Sequence, residues 1–379
     1  MPSDLIVEVV EISDILDHPN ADRLEIAMIK GWQCVVPKGA FKPGDKVVYL
    51  PIDSVLPEDL EARLFPPESK IKLSKSRIKT IKIRGAISQG MVITLEEAGL
   101  DDSVKVGKDV KELLNISKYV PPEDKRPAAM RVKGRTVSKK EVNPHFHKYT
   151  SISNIKNYPK VFESIEGPFV ATEKIHGTNF RCGYVPRVPR RFRDKVRSRM
   201  PGFIKKVWKQ DEWEFVYGSH NVQMQDYPSR KSVYYDKNVY KEAVEKYDLR
   251  NVLKHGEVVY GEIYGDKIQK NYEYGCGHGE RRLAVFDVQI NGKYAGHEDI
   301  VSFARERGLN MPPVLYVGPW NYDEILRISE GKSVLAPKSQ PMREGCVVRP
   351  LREQQFYGGR AILKSINPHY LLKKQSEWS

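Results

Sequence analysis

The sequence predicts an α+β chain: a small β-barrel at the N-terminus, a linker, and a larger domain that mixes strands with helices. Three observations predict it. Short β-branched runs broken by turn residues fill the first hundred or so positions, a polar, proline-bearing stretch follows, and strand-like and helix-like patterns share the remainder.

Leu5 to Ile12 is β-branched and partly alternating, and it leads into the turn-rich His18-Pro-Asn-Ala-Asp22. Leu24 to Ile29 and Trp32 to Val36 are apolar enough for two further strands. Lys42-Pro-Gly-Asp45 is a turn signal feeding Lys46 to Leu50, and Arg77 to Arg84 and Met91 to Leu95 add two more. Several short strands with little helix between them make an OB-fold the natural candidate. Inside this barrel Lys70, Lys72, Lys75, Arg77, Lys79, Lys82 and Arg84 follow one another with no acid among them, interleaved with Ile71, Leu73, Ile78, Ile81 and Ile83. Such a strand can track a phosphate backbone, so Lys79, Lys82 and Arg84 are candidate nucleic-acid contacts. The competing reading is an ordinary sheet edge guarded by lysines.

Around Lys118 to Pro144 the chain turns polar, with Pro121-Pro-Glu-Asp-Lys-Arg-Pro127 at its centre. That composition reads as an interdomain linker. The expected division is a barrel over residues 1–117, a linker over 118–145 and a second domain over 146–379. In that domain Phe169 to Thr172, Val258 to Tyr260, Leu283 to Ile290, Gly345 to Val348 and Ala361 to Ile366 read as strands. Ile300 to Arg307 and Tyr322 to Ser329 read as helices.

Charge and cysteine usage narrow the classes. A net charge of +14 favours a polyanionic partner through counterion release at phosphates, without separating RNA from DNA or an anionic membrane. Met1-Pro2-Ser3-Asp4 carries no secretory signature, and no stretch approaches the roughly 18 apolar residues that cross a bilayer. An intracellular, soluble protein, cytoplasmic or nuclear, with no membrane and no obligate protein partner is expected. Cys34, Cys182, Cys276 and Cys346 lack CxxC spacing, and Cys276 with His278 has no second ligand pair, so reduced thiols are expected rather than zinc.

The chemistry concentrates at Glu173-Lys-Ile-His-Gly-Thr-Asn179, directly after the strand Phe169 to Thr172. A lysine just past a strand end and before a glycine turn can present its amine to a ligand, and nearby cations or desolvation would free its lone pair. This spelling resembles motif I of the covalent nucleotidyltransferases, whose general pattern is Lys-x-Asp-Gly. His176 in the Asp slot is similar to the RNA ligase 2 branch, as is the lead-in Lys148-Tyr-Thr-Ser-Ile-Ser-Asn154. An OB module in front, with Ile83-Arg-Gly-Ala-Ile-Ser-Gln-Gly90, is similar to the RNA ligase 5 family. The resemblance implies a nucleotidyltransferase (adenylation) domain of antiparallel sheets with flanking helices, and Lys174 as the residue that carries AMP.

Later motifs follow in order. Tyr260-Gly-Glu-Ile-Tyr-Gly265 looks like motif III, Ala284-Val-Phe-Asp-Val288 like motif IIIa, Glu344-Gly-Cys-Val-Val348 like motif IV and Ala361-Ile-Leu-Lys-Ser-Ile366 like motif V. The resemblance implies that Glu262 contacts the sugar or helps to organise metal-bound waters and that Phe286 stacks on adenine. It likewise puts Glu344 at a divalent ion and Lys364 on the α-phosphate. Lys174, Glu344, Lys364 and Glu262 are thus the expected catalytic group. Glu173, Lys174, Asn179, Glu262, Phe286 and Lys364 would bind ATP, and Glu344 with Glu262 would hold Mg²⁺ or Mn²⁺. Lys364 and the ion together would help to keep the Lys174 amine neutral. Gly331-Lys-Ser333 is no phosphate loop, because Leu326 stands in place of the first glycine.

Three features depart from the pattern. Ile366 fills the second basic slot of motif V, leaving Lys364 alone or assisted by Arg360. His220, in Val216-Tyr-Gly-Ser-His-Asn221, stands where many relatives have arginine, and His176 is either structural or a participant. A basic run from Arg187 to Lys209, including Arg190, Arg191 and Arg193, is either an RNA contact or a solvated loop.

The resulting expectation is an RNA ligase that joins 3′-hydroxyl and 5′-phosphate ends, single-stranded or in a nicked duplex, through lysyl-AMP and RNA-adenylate. With few residues after motif V, end recognition would fall to the N-terminal module. The rivals are a DNA ligase or capping guanylyltransferase, and an RNA-binding relative without catalysis.

Overall fold

The computed structural model describes residues 5–66, 68–69, 73–119, 142–188, 212–224, 238–335, 342–356 and 359–376. In the N-terminal domain, strands Glu8–Glu11, Lys46–Leu50 and Met91–Thr94 pair antiparallel, and Asp14–Asp17, Leu24–Ile29 and Trp32–Pro37 form a second meander. The run Val47 to Leu50 is apolar throughout because both faces of its strand are covered. Val48 and Leu50 face one apolar cluster, Val47 and Tyr49 the other.

Two parts of this domain differ from the sequence reading. Glu58–Leu64 is a helix, with Glu58, Asp59 and Glu61 in its first turn, Arg63 in its last and Leu60 in the core. The basic run is also not one strand. Lys70 and Lys72 lie outside the described residues, Lys75 sits in a 3₁₀ turn at φ 58°, and only Thr80–Ile83 is strand, paired with Ala86–Gln89. Arg77 is held by Asp53 at 2.5 Å and stacks on Tyr119, so it serves the domain's own structure. Lys82 and Arg84 remain exposed and Lys79 is half-buried.

The second domain packs two sheets face to face. One holds Ser153–Asn154, Leu363–Ile366, Gly345–Pro350, Phe169–Glu173 and Val314–Gly318 in that order. The other holds Gln223–Met224, Trp213–Gly218, Thr178–Pro186, Glu257–Gly265, Arg281–Ile290 and Lys293–Tyr294. Among the described residues the strands of these two sheets pair antiparallel, except Ser153–Asn154 against Leu363–Ile366. Phe146, Tyr149, Val216, Tyr260 and Ile362 form the apolar layer between the sheets. Helices Val239–Lys246 and His297–Glu306 cover the outer face of the larger sheet, and Tyr322–Ser329 that of the smaller. No helix among the described residues is long and apolar enough to cross a membrane.

Candidate active site

Lys174 lies on the connection between the two sheets, since Phe169–Glu173 belongs to one and Thr178–Pro186 to the other. Gly177 makes that crossing possible. A Cβ there would overlap the Ile263 carbonyl oxygen and come within 2.9 Å of Glu262 Cγ. The loop is tied on both sides: Lys174 N donates to the Gly345 carbonyl at 2.9 Å, His176 N to the Tyr274 hydroxyl at 2.7 Å, and Gln269 Nε2 to the Gly177 carbonyl at 2.8 Å.

The fold brings together side chains that are far apart in sequence. Lys174 Nζ lies 2.8 Å from Glu344 Oε1, and His176 Nδ1 lies 3.5 Å from Glu344 Oε2. Glu262, opposite Asn179 on the larger sheet, and Lys364, on the smaller sheet, both reach the same charge cluster. Burial pushes the Glu262 carboxyl up to about 7, the Lys174 ammonium pulls it down, and the Glu344 charge pushes it up. Burial likewise lowers Lys364 to about 8, reinforced by Lys174 and opposed by Glu344.

Lys174 itself is pulled in two directions by its surroundings. Burial lowers its pKa, but Glu344 and Glu262 together outweigh burial, so the net shift is upward and the amine is held as ammonium. The physical reason is the pair of carboxylates, Glu344 and Glu262, that faces the amine.

Phe286 occupies a β-bulge. Tyr260 pairs with Asp287 and Gly261 with Val285, so Phe286 is the extra residue, and a bulge re-aims the side chain it carries. Its ring packs edge-on against Tyr149 at 5.0 Å. Asn179 Oδ1 is buried without a hydrogen-bond partner, which suits a ligand that donates there. Glu173 is buried and its carboxyl is raised chiefly by burial, although Oε2 accepts from Val334 N at 2.9 Å.

Three residues left open by the sequence find their surroundings. Arg360 is fully engaged away from Lys364: Nη1 donates to Asp287 at 2.7 Å, and Nε and Nη2 clamp Glu353 at 2.6 and 2.8 Å. Ile366 lies against the apolar cluster of Ile175, Tyr264, Tyr272 and Tyr370, so the second motif V slot is apolar. Burial pulls His220 down to about 4, with Lys148 and Arg181 adding to it, which leaves a neutral ring at pH 7. Arg190, Arg191 and Arg193 lie outside the described residues.

Sequence reasoning missed the network under Phe286. Asp287 is fully buried and accepts from Tyr149 Oη at 2.6 Å, Arg349 Nη1 at 3.1 Å and Arg360 Nη1 at 2.7 Å. An acid in the middle of the apolar strand Leu283 to Ile290 was the available signal, because a charge in such a place needs partners. Among the described residues no group of three His, Cys, Asp or Glu side chains converges, and Cys276 and His278 join no third ligand. Glu262 and Glu344 are the carboxylates that would hold a hard divalent ion, which accepts oxygen ligands.

A lysine amine between two carboxylates, a second buried lysine and a half-buried aromatic ring define a cleft suited to a nucleotide bearing phosphates. The chain belongs to the RNA ligase family, whose model matches residues 167–366, and an OB-fold domain model matches residues 6–95. Solved structures of Naegleria gruberi RNA ligase align over nearly the whole length. A mutant without ligand is 22% identical with a TM-score of 0.72, covering 99% of this chain and 100% of that one. A mutant with AMP and Mn is 22% identical with a TM-score of 0.71, covering 97% and 98%. The same enzyme with PPi is 22% identical with a TM-score of 0.71, covering 98% and 99%. At that identity the likeness speaks for the shared fold. No curated protein matches the sequence.

Proposed function

We propose that the protein is an ATP-dependent RNA ligase that stores AMP on Lys174. The carrying observation is the convergence of Lys174, Glu262, Glu344 and Lys364 from both sheets on one cleft. That solved relatives of the same fold were obtained with ATP and Mn, with AMP and Mn, and with PPi supports the choice of nucleotide.

In the first step Lys174 Nζ, as free amine, attacks the α-phosphorus of ATP. A P–N bond forms, the nitrogen gives its proton to solvent, the Pα–O bond to the β-phosphate breaks, and pyrophosphate leaves. Lys364 offsets charge on the α-phosphate oxygens, Phe286 stacks on the adenine, and Glu173 and Asn179 orient the nucleoside. A Mg²⁺ or Mn²⁺ ion at Glu344 and Glu262 would occupy the carboxylates that otherwise keep the amine protonated and would add positive charge at the phosphates. An RNA 5′-phosphate then takes AMP from Lys174, and a 3′-hydroxyl displaces AMP to form the phosphodiester. Residues 1–117, led by Lys79, Lys82 and Arg84, bind the RNA, and 118–145 link them to the catalytic domain. An intracellular site of action fits a chain whose Cys34, Cys182 and Cys346 are buried free thiols.

Incubation with α-labelled ATP and Mg²⁺ or Mn²⁺ tests the reading. Wild type is expected to gain one lysine-linked AMP through an acid-labile, alkali-stable P–N bond and the Lys174→Ala variant none. A nucleotide mapped by mass spectrometry to another side chain overturns it. Sealing of nicks with ribose against deoxyribose 3′ ends, and ATP against GTP, separates it from the other nucleotidyltransferases.

A further inference from the structure

The segment Ser153 to Asn157 has one side in the catalytic domain and the other on the N-terminal domain. Ser153 and Asn154 pair with Leu363 and Lys364, so Asn154 is the register neighbour of the buried lysine in the cleft. Asn154 Oδ1 accepts from Lys156 N at 3.0 Å, and Ile155 is fully buried beside Ala361 and Leu363. The next two residues meet the barrel. The Lys156 carbonyl accepts from Gly31 N at 3.0 Å, Asn157 Oδ1 from Trp32 Nε1 at 2.8 Å, and Lys156 Nζ donates to Gln89 Oε1 at 2.7 Å. Lys156 also lies over the Trp32 ring at 5.5 Å. Trp32 and Gln89 are themselves buried. The approach is close enough that a Cβ on Gly31 would sit 2.9 Å from Lys156 Cα and overlap the Tyr322 hydroxyl.

We propose that residues 153–157 are a stiff link through which seating of the N-terminal domain sets the position of Lys364, with Lys156 as the positioning residue at its centre. Lys156 touches no reacting atom. It fixes the backbone of a two-residue strand whose other edge is the Lys364 strand, and it does so from polar partners that belong to the barrel. A strand of two residues has too few hydrogen bonds of its own to hold a neighbour in place, so the docking contacts supply the rigidity. The first domain thereby acts on lysine adenylation itself and not only on RNA.

This rests on the ligase reading, and the test keeps the two apart. Single-turnover labelling of Lys174 is measured against ATP concentration for wild type, Lys156→Met, Lys156→Arg and Val9→Ala, alongside thermal melts. Val9 is a core residue on the other side of the barrel and serves as the control for stability. Lys156→Met, which keeps the volume and removes the donor, is expected to lower the maximal labelling rate about tenfold with little change in KM for ATP. Lys156→Arg restores most of it, and Val9→Ala lowers Tm without lowering the rate. Wild-type labelling by Lys156→Met overturns the link, as does a loss confined to KM, or an equal loss in Val9→Ala at matched Tm. Absence of label on wild type overturns the ligase reading and the link with it.

Discussion

The cleft between the sheets and the basic hairpin of the N-terminal domain both gather cationic side chains, yet they treat them in opposite ways. On the hairpin, Lys82 and Arg84 are exposed and their charges are screened by solvent. In the cleft, burial and neighbours retune each group: Lys364 falls to about 8, Glu262 rises to about 7, and the carboxylates hold Lys174 up. The lesson is that a sequence count of lysines measures attraction for a polyanion, whereas reactivity depends on which lysines lose their water. On the proposed function, one region attracts RNA by number and the other works by arrangement.

The sharpest way to break this contrast is Lys174→Ala, expected to abolish nucleotide transfer altogether while leaving RNA binding in gel-shift assays intact. Lys364→Ala is expected to slow lysine adenylation by about 10²- to 10³-fold, read from single-turnover labelling, because it removes a desolvated charge at the phosphate. Asp287→Asn strands Arg349, leaves Arg360 with Glu353 as its remaining acid, and is expected to destabilise the fold by about 3–5 kcal/mol in chemical denaturation. On the hairpin, Lys82→Ala with Arg84→Ala should weaken RNA binding only several-fold, with the log–log salt slope flattened by about 1 to 2. A slope left unchanged would remove the hairpin from the RNA interface.

The smallest effect concerns His297, which burial lowers to about 4, with the Arg349 charge adding and Asp287 opposing. The unfolded ring, near 6.5, binds its proton first as pH falls, so acid favours unfolding. Tm should therefore decline as pH drops from about 6.5 toward 4, and His297→Leu should flatten that decline. His220 has the same sign and remains in the variant, so part of the slope persists.

Much of the fold was legible because its signals are local. Lys46 to Leu50 announces a strand by composition, and the turn Lys42 to Asp45 delimits it. Glu58–Leu64 escaped notice because a seven-residue helix with one fully buried side chain offers too little periodicity. For the cleft, the order of short motifs named Lys174, Glu262, Glu344 and Lys364, and the fold brings these four together. What stayed hidden depends on distant partners. Arg77 looked like one more phosphate-seeking cation until Asp53 stood beside it, and whether Arg360 assists Lys364 stayed open in the sequence because Asp287 and Glu353, which take up its guanidinium, are distant in the chain or unmarked by pattern. The docking pair Trp32 and Asn157 is separated by more than a hundred residues and carries no pattern at all.

Glu262 and Phe286 belong to one sheet and Lys364 to the other, Glu344 directly precedes that second sheet's strand Gly345–Pro350, and Lys174 spans the gap. The width of the reaction chamber is therefore the thickness of the apolar layer beneath it, set by Tyr260, Ile362 and Val347 acting as shims. A methylene added to or removed from one of these side chains alters the spacing of Lys174 and Lys364 with no polar group changed. Catalytic power in this enzyme is to that extent inherited from the calibre of its grease.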